Sequence, residues 1–111
     1  MLTIYGIGSC DGCRKARKWL DAQSHPYTWV DVRKTPPAPE RVARWVEVLG
    51  SKRLRNTSGG SYRALSADKK DWSEDRWAEA IAADPMLLKR PLLERDGEPL
   101  TAGFRDWDQL L

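Results

Sequence analysis

The two cysteines of this sequence, Cys10 and Cys13, are the residues best suited to chemistry. They stand close together near the start of the chain, in the segment S-C-D-G-C-R-K. A disulfide across so short a loop removes only about 2 kcal/mol of unfolded-chain entropy, so reinforcement of the fold is a weak reason for the pair. Secreted mini-proteins spread more cysteines along the chain. The spacing therefore indicates a redox or metal site in a cytoplasmic protein.

The elements expected around this pair favour a reactive Cys10. A short apolar strand is predicted over Leu2–Tyr5, followed by a glycine-containing loop and a helix from about Asp11 to Gln23. Cys10 then lies at the start of the helix, where free N–H groups and the positive end of the helix dipole favour a thiolate over a thiol. Arg14 and Lys15 add positive charge nearby. We therefore expect Cys10 to be a nucleophile near neutral pH.

Cys13 is expected to be the less exposed thiol. Cys13, Ala16 and Leu20 share one apolar face of the predicted helix. Side chains three positions apart on a helix lie about 5–6 Å apart at Cβ, whereas a disulfide prefers about 3.5–4.5 Å. Formation of a Cys10–Cys13 disulfide therefore needs a small local adjustment of the helix, and this disulfide should stay reducible. We predict that Cys13 resolves a mixed disulfide formed on Cys10.

The remaining pattern predicts an α/β fold in a single domain covering residues 1–111. A strand over Tyr27–Val32 completes a β-α-β unit, whose right-handed crossover makes the two strands parallel. The later predicted elements are helices over Pro39–Leu49 and from Ser73 to Pro85, a helical turn and glycine-rich surface loop over Ser51–Tyr62, a hairpin at Asp96-Gly97 and a last helical turn after Phe104. The order β-α-β, helices, β-β-α predicts a mixed sheet with helices packed on it.

Charge and hydropathy exclude several classes of protein. The net charge of +3 is too small to indicate nucleic-acid binding and favours small anionic ligands or an acidic partner surface. There is no apolar run of about 20 residues for a membrane span, and we expect no secretory signal. A structural zinc site needs more Cys or His ligands than the cysteines and His25 provide. Six tryptophans could stack on nucleic-acid bases, but most occupy apolar helical positions and predict core packing.

The chain resembles the arsenate-reductase-like ArsC/Spx/YffB family in four segments that occur in the same order: I-Y-G-I-G-S-C-D-G-C-R-K-A-R-K-W-L, N-T-S-G-G-S-Y-R-A-L, L-L-K-R-P-L-L and L-T-A-G-F. The resemblance extends from Leu2 to Leu111. It implies a thioredoxin-like fold with a helical insertion, a catalytic or redox-sensing Cys10 and an anion-binding Arg90. It also implies a cis Arg90-Pro91 bond, which is uncommon in folded proteins.

Two departures from the family pattern concern the substrate. Arsenate reductases of the family have a histidine where this chain has Gly6, and YffB-like and Spx-like members have an arginine where it has Ser58. Part of an oxyanion clamp is therefore missing, while Arg63 and Arg90 remain to hold a carboxylate or another anion. The glycine-rich loop and the G-F-R-D segment are most similar to the YffB-like reductase branch.

Three functions stay open. The first is a thiol-dependent reductase that needs no metal or organic cofactor and takes electrons from glutathione or a thioredoxin-like donor. Its candidate substrate-binding residues are Ser9, Arg14, Arg63, Arg90 and Pro91. The second is an Spx-like redox switch that binds the RNA polymerase α subunit, and the third is an arsenate reductase. The substrate, the donor, the oligomeric state and the part of Cys13 in each turnover stay open as well.

Overall fold

The computed structural model describes all 111 residues and has an α/β fold with a four-stranded mixed sheet. Its elements are β1 (Leu2–Gly6), α1 (Asp11–Ala22), β2 (Tyr27–Asp31), α2 (Pro39–Leu49), α3 (Ser51–Leu54), α4 (Gly60–Arg63), α5 (Glu74–Ala83), β3 (Leu92–Arg95), β4 (Glu98–Ala102) and α6 (Trp107–Leu110). Short 3₁₀ helices cover Ala67–Asp71 and Pro85–Leu87. None of the helices combines the length and the apolar character that crossing a membrane requires.

The chain forms two compact units. The first contains Met1–Thr35 and Arg90–Leu111, and the second contains Pro36–Lys89, which is inserted in the sequence between the halves of the first. All four strands belong to the first unit, and the second is helical. This order agrees with the helical insertion that the resemblance implies, while the single domain over 1–111 stays a prediction.

The sheet of the first unit has the strand order β2-β1-β3-β4. β1 and β2 are parallel, as the β-α-β pattern predicts, and the other neighbours are antiparallel. Successive side chains of a strand point to opposite faces, so one face of β1 is formed by its even-numbered residues. This face packs on α1 in a core of Leu2, Ile4, Ala16, Leu20, Leu93 and Trp107. The predicted buried face of α1 is confirmed.

The predicted hairpin between β3 and β4 is confirmed. Its two central residues, Asp96 and Gly97, have φ angles of 51° and 84°. A two-residue turn with both φ angles positive matches the right-handed twist of the flanking strands, and Asp-Gly is among the pairs that adopt it most readily. This turn brings β4 back along β3 at the edge of the sheet.

The second unit packs α2 against α5. Pro39 occupies the first turn of α2 and Gly50 follows its end with a φ of 85°, as their residue types predict. At the start of α5, Trp72 lies 4.9 Å from the buried Trp77 between ring centroids, a contact typical of a hydrophobic staple. The helical turn predicted within Ser51–Tyr62 is confirmed as α3. The surface loop predicted to follow it is wrong at its end, where the chain enters α4 and the Arg63 N–H donates to the Gly59 carbonyl.

Candidate functional site

Cys10 is the N-cap residue of α1, as the sequence predicts. Its backbone is extended, with φ −84° and ψ 124°, and its Sγ accepts a hydrogen bond from the Cys13 N–H at 3.4 Å. The loop before it is closed by the Cys10 N–H, which bonds to the Ile7 carbonyl at 3.2 Å. The sulfur therefore receives one of the N–H groups that the first turn of a helix leaves without a backbone partner.

The surroundings of Cys10 lower the pKa of its thiol. Partial burial is the largest single influence and raises this pKa, because the charged form loses water. It is outweighed by hydrogen bonds from the Cys13 side chain and backbone, by the positive charge of Arg90 and by the Gly12 N–H. The predicted lowering of the Cys10 pKa is confirmed, and Arg90 is a cation that contributes to it.

Cys13 has the opposite behaviour. Its side chain is completely buried, and burial together with the hydrogen bond to Cys10 and the charge of Cys10 raises the pKa of the Cys13 thiol to about 12. Both cysteines are free thiols. The pair therefore provides one thiol that ionises more readily than an ordinary cysteine and one buried thiol that stays protonated at neutral pH.

Gly12 lies beside Arg90, Pro91 and the Cys10 sulfur in the first unit. A Cβ atom added to Gly12 would lie 3.7 Å from the Arg90 carbonyl oxygen, 3.7 Å from Pro91 Cδ and 3.9 Å from Cys10 Sγ. The Arg90-Pro91 peptide bond is cis, which confirms the expectation from the resemblance. A methyl group at Gly12 would thus meet these three groups at ordinary van der Waals distances.

The other predicted site residues have different positions. Ser9 is exposed directly before Cys10. Arg14 is exposed on α1 and forms an ion pair with Asp11 one turn earlier, which offsets part of its charge. Arg63 belongs to the second unit, where it is exposed and donates a hydrogen bond to the Ser58 carbonyl at 2.8 Å. The substrate-binding roles of these three residues stay predictions.

Sequence reasoning did not identify Gly12 or assign a role to Gly6 beyond a departure from the family pattern. Gly6 is buried at the end of β1, and a Cβ atom there would come closer than 3.0 Å to Cys13 Sγ. A glycine between two cysteines was the available signal for Gly12. No group of three or more His, Cys, Asp or Glu side chains is arranged to hold a metal ion.

The family profile named ArsC matches residues 5–109, which includes both cysteines and Arg90. The chain belongs to the ArsC family. Its ArsC-type sheet and helices are similar to a crystal structure described as "a possible arsenate reductase from Streptococcus mutans UA159", with a TM-score of 0.90, 39% identity and coverage of 99% of this chain and 97% of that one. The structure of a YffB (PA3664) protein is similar with a TM-score of 0.88, 32% identity and coverage of 99% and 96%.

Two relatives known from their sequences extend the comparison of this ArsC-family chain. The uncharacterized protein YusI of Bacillus subtilis is 39% identical over 95% of this chain and 92% of its own length. The global transcriptional regulator Spx of Lactiplantibacillus plantarum is 26% identical over 96% of this chain and 81% of its own length. The ArsC family thus connects this chain both to reductases and to regulators, as the four-segment resemblance implies.

Proposed function

We propose that this chain is a thiol–disulfide reductase in which Cys10 is the nucleophile and Cys13 the resolving thiol. The observation that carries the proposal is the opposite direction of the two pKa shifts within one turn of α1. A nucleophilic thiol has to be ionised at neutral pH, whereas a resolving thiol is best kept protonated until a mixed disulfide exists. The kinship with reductases in the ArsC family supports the same chemistry.

The reaction consists of two thiol–disulfide exchanges. The Cys10 thiolate attacks one sulfur of a substrate disulfide, forms a mixed disulfide and releases the other sulfur as a thiolate. Cys13 then gives up its proton and attacks Cys10 Sγ, which releases the second substrate sulfur and leaves a Cys10–Cys13 disulfide. Two electrons pass from the protein thiols to the substrate. Two molecules of glutathione, the proposed donor, return them and become glutathione disulfide, and a thioredoxin-like dithiol is the alternative donor.

The first exchange prepares Cys13 for the second. The hydrogen bond to Cys10 and the charge of Cys10 are among the causes that raise the pKa of the Cys13 thiol, after burial. Both depend on an ionised Cys10, and the mixed disulfide removes that charge. The pKa of Cys13 therefore falls after the first exchange, when Cys13 has to ionise, and no separate cofactor is required for this step.

The mass of the protein after exposure to oxidised glutathione tests the assignment of roles. We expect the wild type to lose two hydrogens, Cys13→Ser to keep one glutathionyl group on Cys10, and Cys10→Ser to react far more slowly. A glutathionyl group that stays on Cys10 of the wild type would remove Cys13 from the reaction. A Cys10→Ser variant that reacts as fast as the wild type would overturn the assignment of the nucleophile.

Arg90 is proposed to bind the anionic part of the substrate, such as a glutathione carboxylate, with Ser9, Arg14, Arg63 and Pro91 as further candidate contacts. Its charge already acts on Cys10. Removing a charged hydrogen-bond partner costs about 1.5–3 kcal/mol, so Arg90→Gln should lower kcat/KM for a glutathione mixed disulfide by about tenfold or more. Arg105→Gln, which removes an exposed arginine of the same unit, is the control. Equal losses in both variants would contradict the role of Arg90.

A second candidate function is an Spx-like redox switch that binds the RNA polymerase α subunit. The similarity to the Spx regulators over 96% of this chain favours it. In this case the Cys10–Cys13 disulfide would alter a partner surface instead of completing a catalytic cycle. Capture of the polymerase α subunit that depends on the redox state, without glutathione turnover, would support the switch against the reductase.

Arsenate reduction is a third candidate, which the similarity to the Streptococcus mutans protein favours. Gly6 and Ser58 replace residues that the family resemblance assigns to the oxyanion site, so we rank arsenate below a disulfide substrate. Arsenate turnover that disappears in Cys10→Ser would reverse this order.

A further inference from the structure

Gly6 ends β1 on the face that packs against α1, in line with Ile4. It is buried, and its φ lies outside the positive region that favours glycine. The backbone conformation at this position is therefore open to any residue. The reason for a glycine has to be the space that a side chain would occupy.

That space is already taken by the Cys13 thiol. A Cβ atom on Gly6 would be closer than 3.0 Å to Cys13 Sγ, an approach that real Cβ atoms essentially never show. On β2, the ring of Trp29 borders the same point, with Cη2 at 3.0 Å and Cζ3 at 3.2 Å. A side chain at position 6 would thus be confined between a sulfur and an indole edge.

The backbone of Gly6 has little freedom to move away. Gly6 is paired with Asp31 in the parallel ladder, and its carbonyl accepts a hydrogen bond from the Val32 N–H at 2.9 Å. The Cys13 side chain, in contrast, rotates about a single bond. A methyl group at position 6 would therefore displace the Cys13 sulfur, which is the group that donates to Cys10.

We propose that Gly6 is a positioning residue for the reductase reaction proposed above, and that the space left by its missing side chain holds the Cys13 thiol beside Cys10. A side chain at position 6 and a Cys13 thiol in its present place exclude each other. The role of Gly6 is therefore to leave the space in which the resolving thiol lies.

A double-mutant cycle of Gly6→Ala and Cys13→Ala tests this proposal. The readouts are the pH dependence of Cys10 alkylation by iodoacetamide and the urea midpoint of unfolding under reducing conditions. With Cys13 present, we expect Gly6→Ala to slow Cys10 alkylation at neutral pH by about tenfold or more, the loss of one hydrogen bond to a charged sulfur. In the Cys13→Ala background, the same change should leave the alkylation rate nearly unchanged, and its effect on the urea midpoint should be clearly smaller, because only the contact with Trp29 remains.

The Cys13→Ala background separates the sulfur from the other neighbours, because the contact with Trp29 is the same in both backgrounds. If Gly6→Ala unfolds the protein while the double variant folds, the sulfur is again identified as the obstacle. Equal effects in both backgrounds, or no effect in either, would overturn the proposal. Turnover with glutathione is measured separately, so an inactive protein with intact coupling would contradict the reductase function and leave the role of Gly6 in place.

Discussion

Cys10 and Cys13 differ in acidity because of the point at which α1 begins. The helix starts one residue after Cys10, so the Cys10 sulfur accepts the N–H of Cys13, while Cys13 itself turns into the core. Arg90 adds its charge from the other half of the first unit. The shift of each thiol's pKa therefore has the direction that its proposed step needs before any substrate arrives.

Alkylation of the reduced protein should be selective for Cys10. In the reduced protein, iodoacetamide should modify Cys10 below the ordinary thiol pKa of about 8.5, whereas Cys13, with a pKa of about 12, should stay unmodified. The rate at Cys10 should increase with pH through its lowered pKa and then level off. Peptide mass mapping of protein quenched at a series of pH values measures both rates. Modification of Cys13 ahead of Cys10 would contradict the shifts.

At the scale of the elements, two hydrogen bonds between α3 and α5 connect the helices of the second unit. The buried Ser51 donates from its backbone N–H to Glu74 at 3.0 Å and also from its hydroxyl. These two bonds are the main causes that lower the pKa of Glu74. These hydrogen bonds connect Ser51 to the first turn of α5, where an acidic residue also interacts favourably with the helix dipole.

Ser51→Ala removes the hydroxyl that donates to Glu74 and accepts from Arg55, so it should lower the unfolding free energy by about 1–3 kcal/mol at neutral pH. Because the folded-state pKa of Glu74 is lowered, its contribution is present above the unfolded pKa of about 4.3 and is lost as pH falls through the folded pKa. Glu74→Gln should therefore reduce the acid dependence of stability. Urea titrations between neutral and acidic pH measure both effects. An acid dependence that is unchanged in Glu74→Gln would contradict the stabilising role of the hydrogen bonds between Ser51 and Glu74.

Trp77 supports the same helical unit by packing. Its side chain is completely buried and contacts Trp72, Tyr62 and the guanidinium of Arg55, the last at 4.3 Å from the ring centroid. Trp77→Ala should cost about 3–5 kcal/mol of unfolding free energy, because it leaves a large cavity. Trp72→Ala is the control, and its loss should be clearly smaller since this ring is only half-buried. Chemical denaturation ranks the two variants.

At the scale of the whole molecule, the two thiols make the stability of the reduced protein depend on pH in opposite senses. The pKa of Cys10 is lowered, so its contribution grows as pH rises towards the unfolded value of about 8.5. The pKa of Cys13 is raised to about 12, so its contribution is complete below the unfolded value and is lost between there and about 12. The unfolding free energy of the reduced protein, minus that of the Cys10→Ser/Cys13→Ser variant, should reach a maximum at about pH 8.5, as measured by urea titrations. A difference that does not vary with pH would contradict the two shifts.

Local signals in the sequence predicted much of this architecture. Pro39 and Gly50 delimit α2, Asp96-Gly97 makes the hairpin, and the spacing of Cys13 and Leu20 marks the buried face of α1. Each of these signals acts within one element or one turn. The position of Cys10 at the start of α1 belongs to the same class, and for this reason the direction of its pKa shift was predictable.

The features that escaped prediction depend on residues distant in the sequence. The space around Gly6 is defined by Cys13 on α1 and Trp29 on β2, which meet only after the sheet and helix have packed. Arg90 was identified through the family resemblance, because no local pattern connects it to Cys10. The helical turn at Gly60–Arg63 was missed because paired glycines are equally typical of a loop.

The indole ring of Trp29 lies close to the redox-active cysteine pair. Its ring edge and the Cys13 sulfur both border the point where a Gly6 side chain would begin, so the indole is a near neighbour of the redox pair. Disulfides quench indole fluorescence by accepting an electron from the excited ring, whereas protonated thiols do so weakly. The emission of this tryptophan should therefore dim when the pair is oxidised and recover on reduction, which gives the protein an internal optical reporter of its own oxidation state.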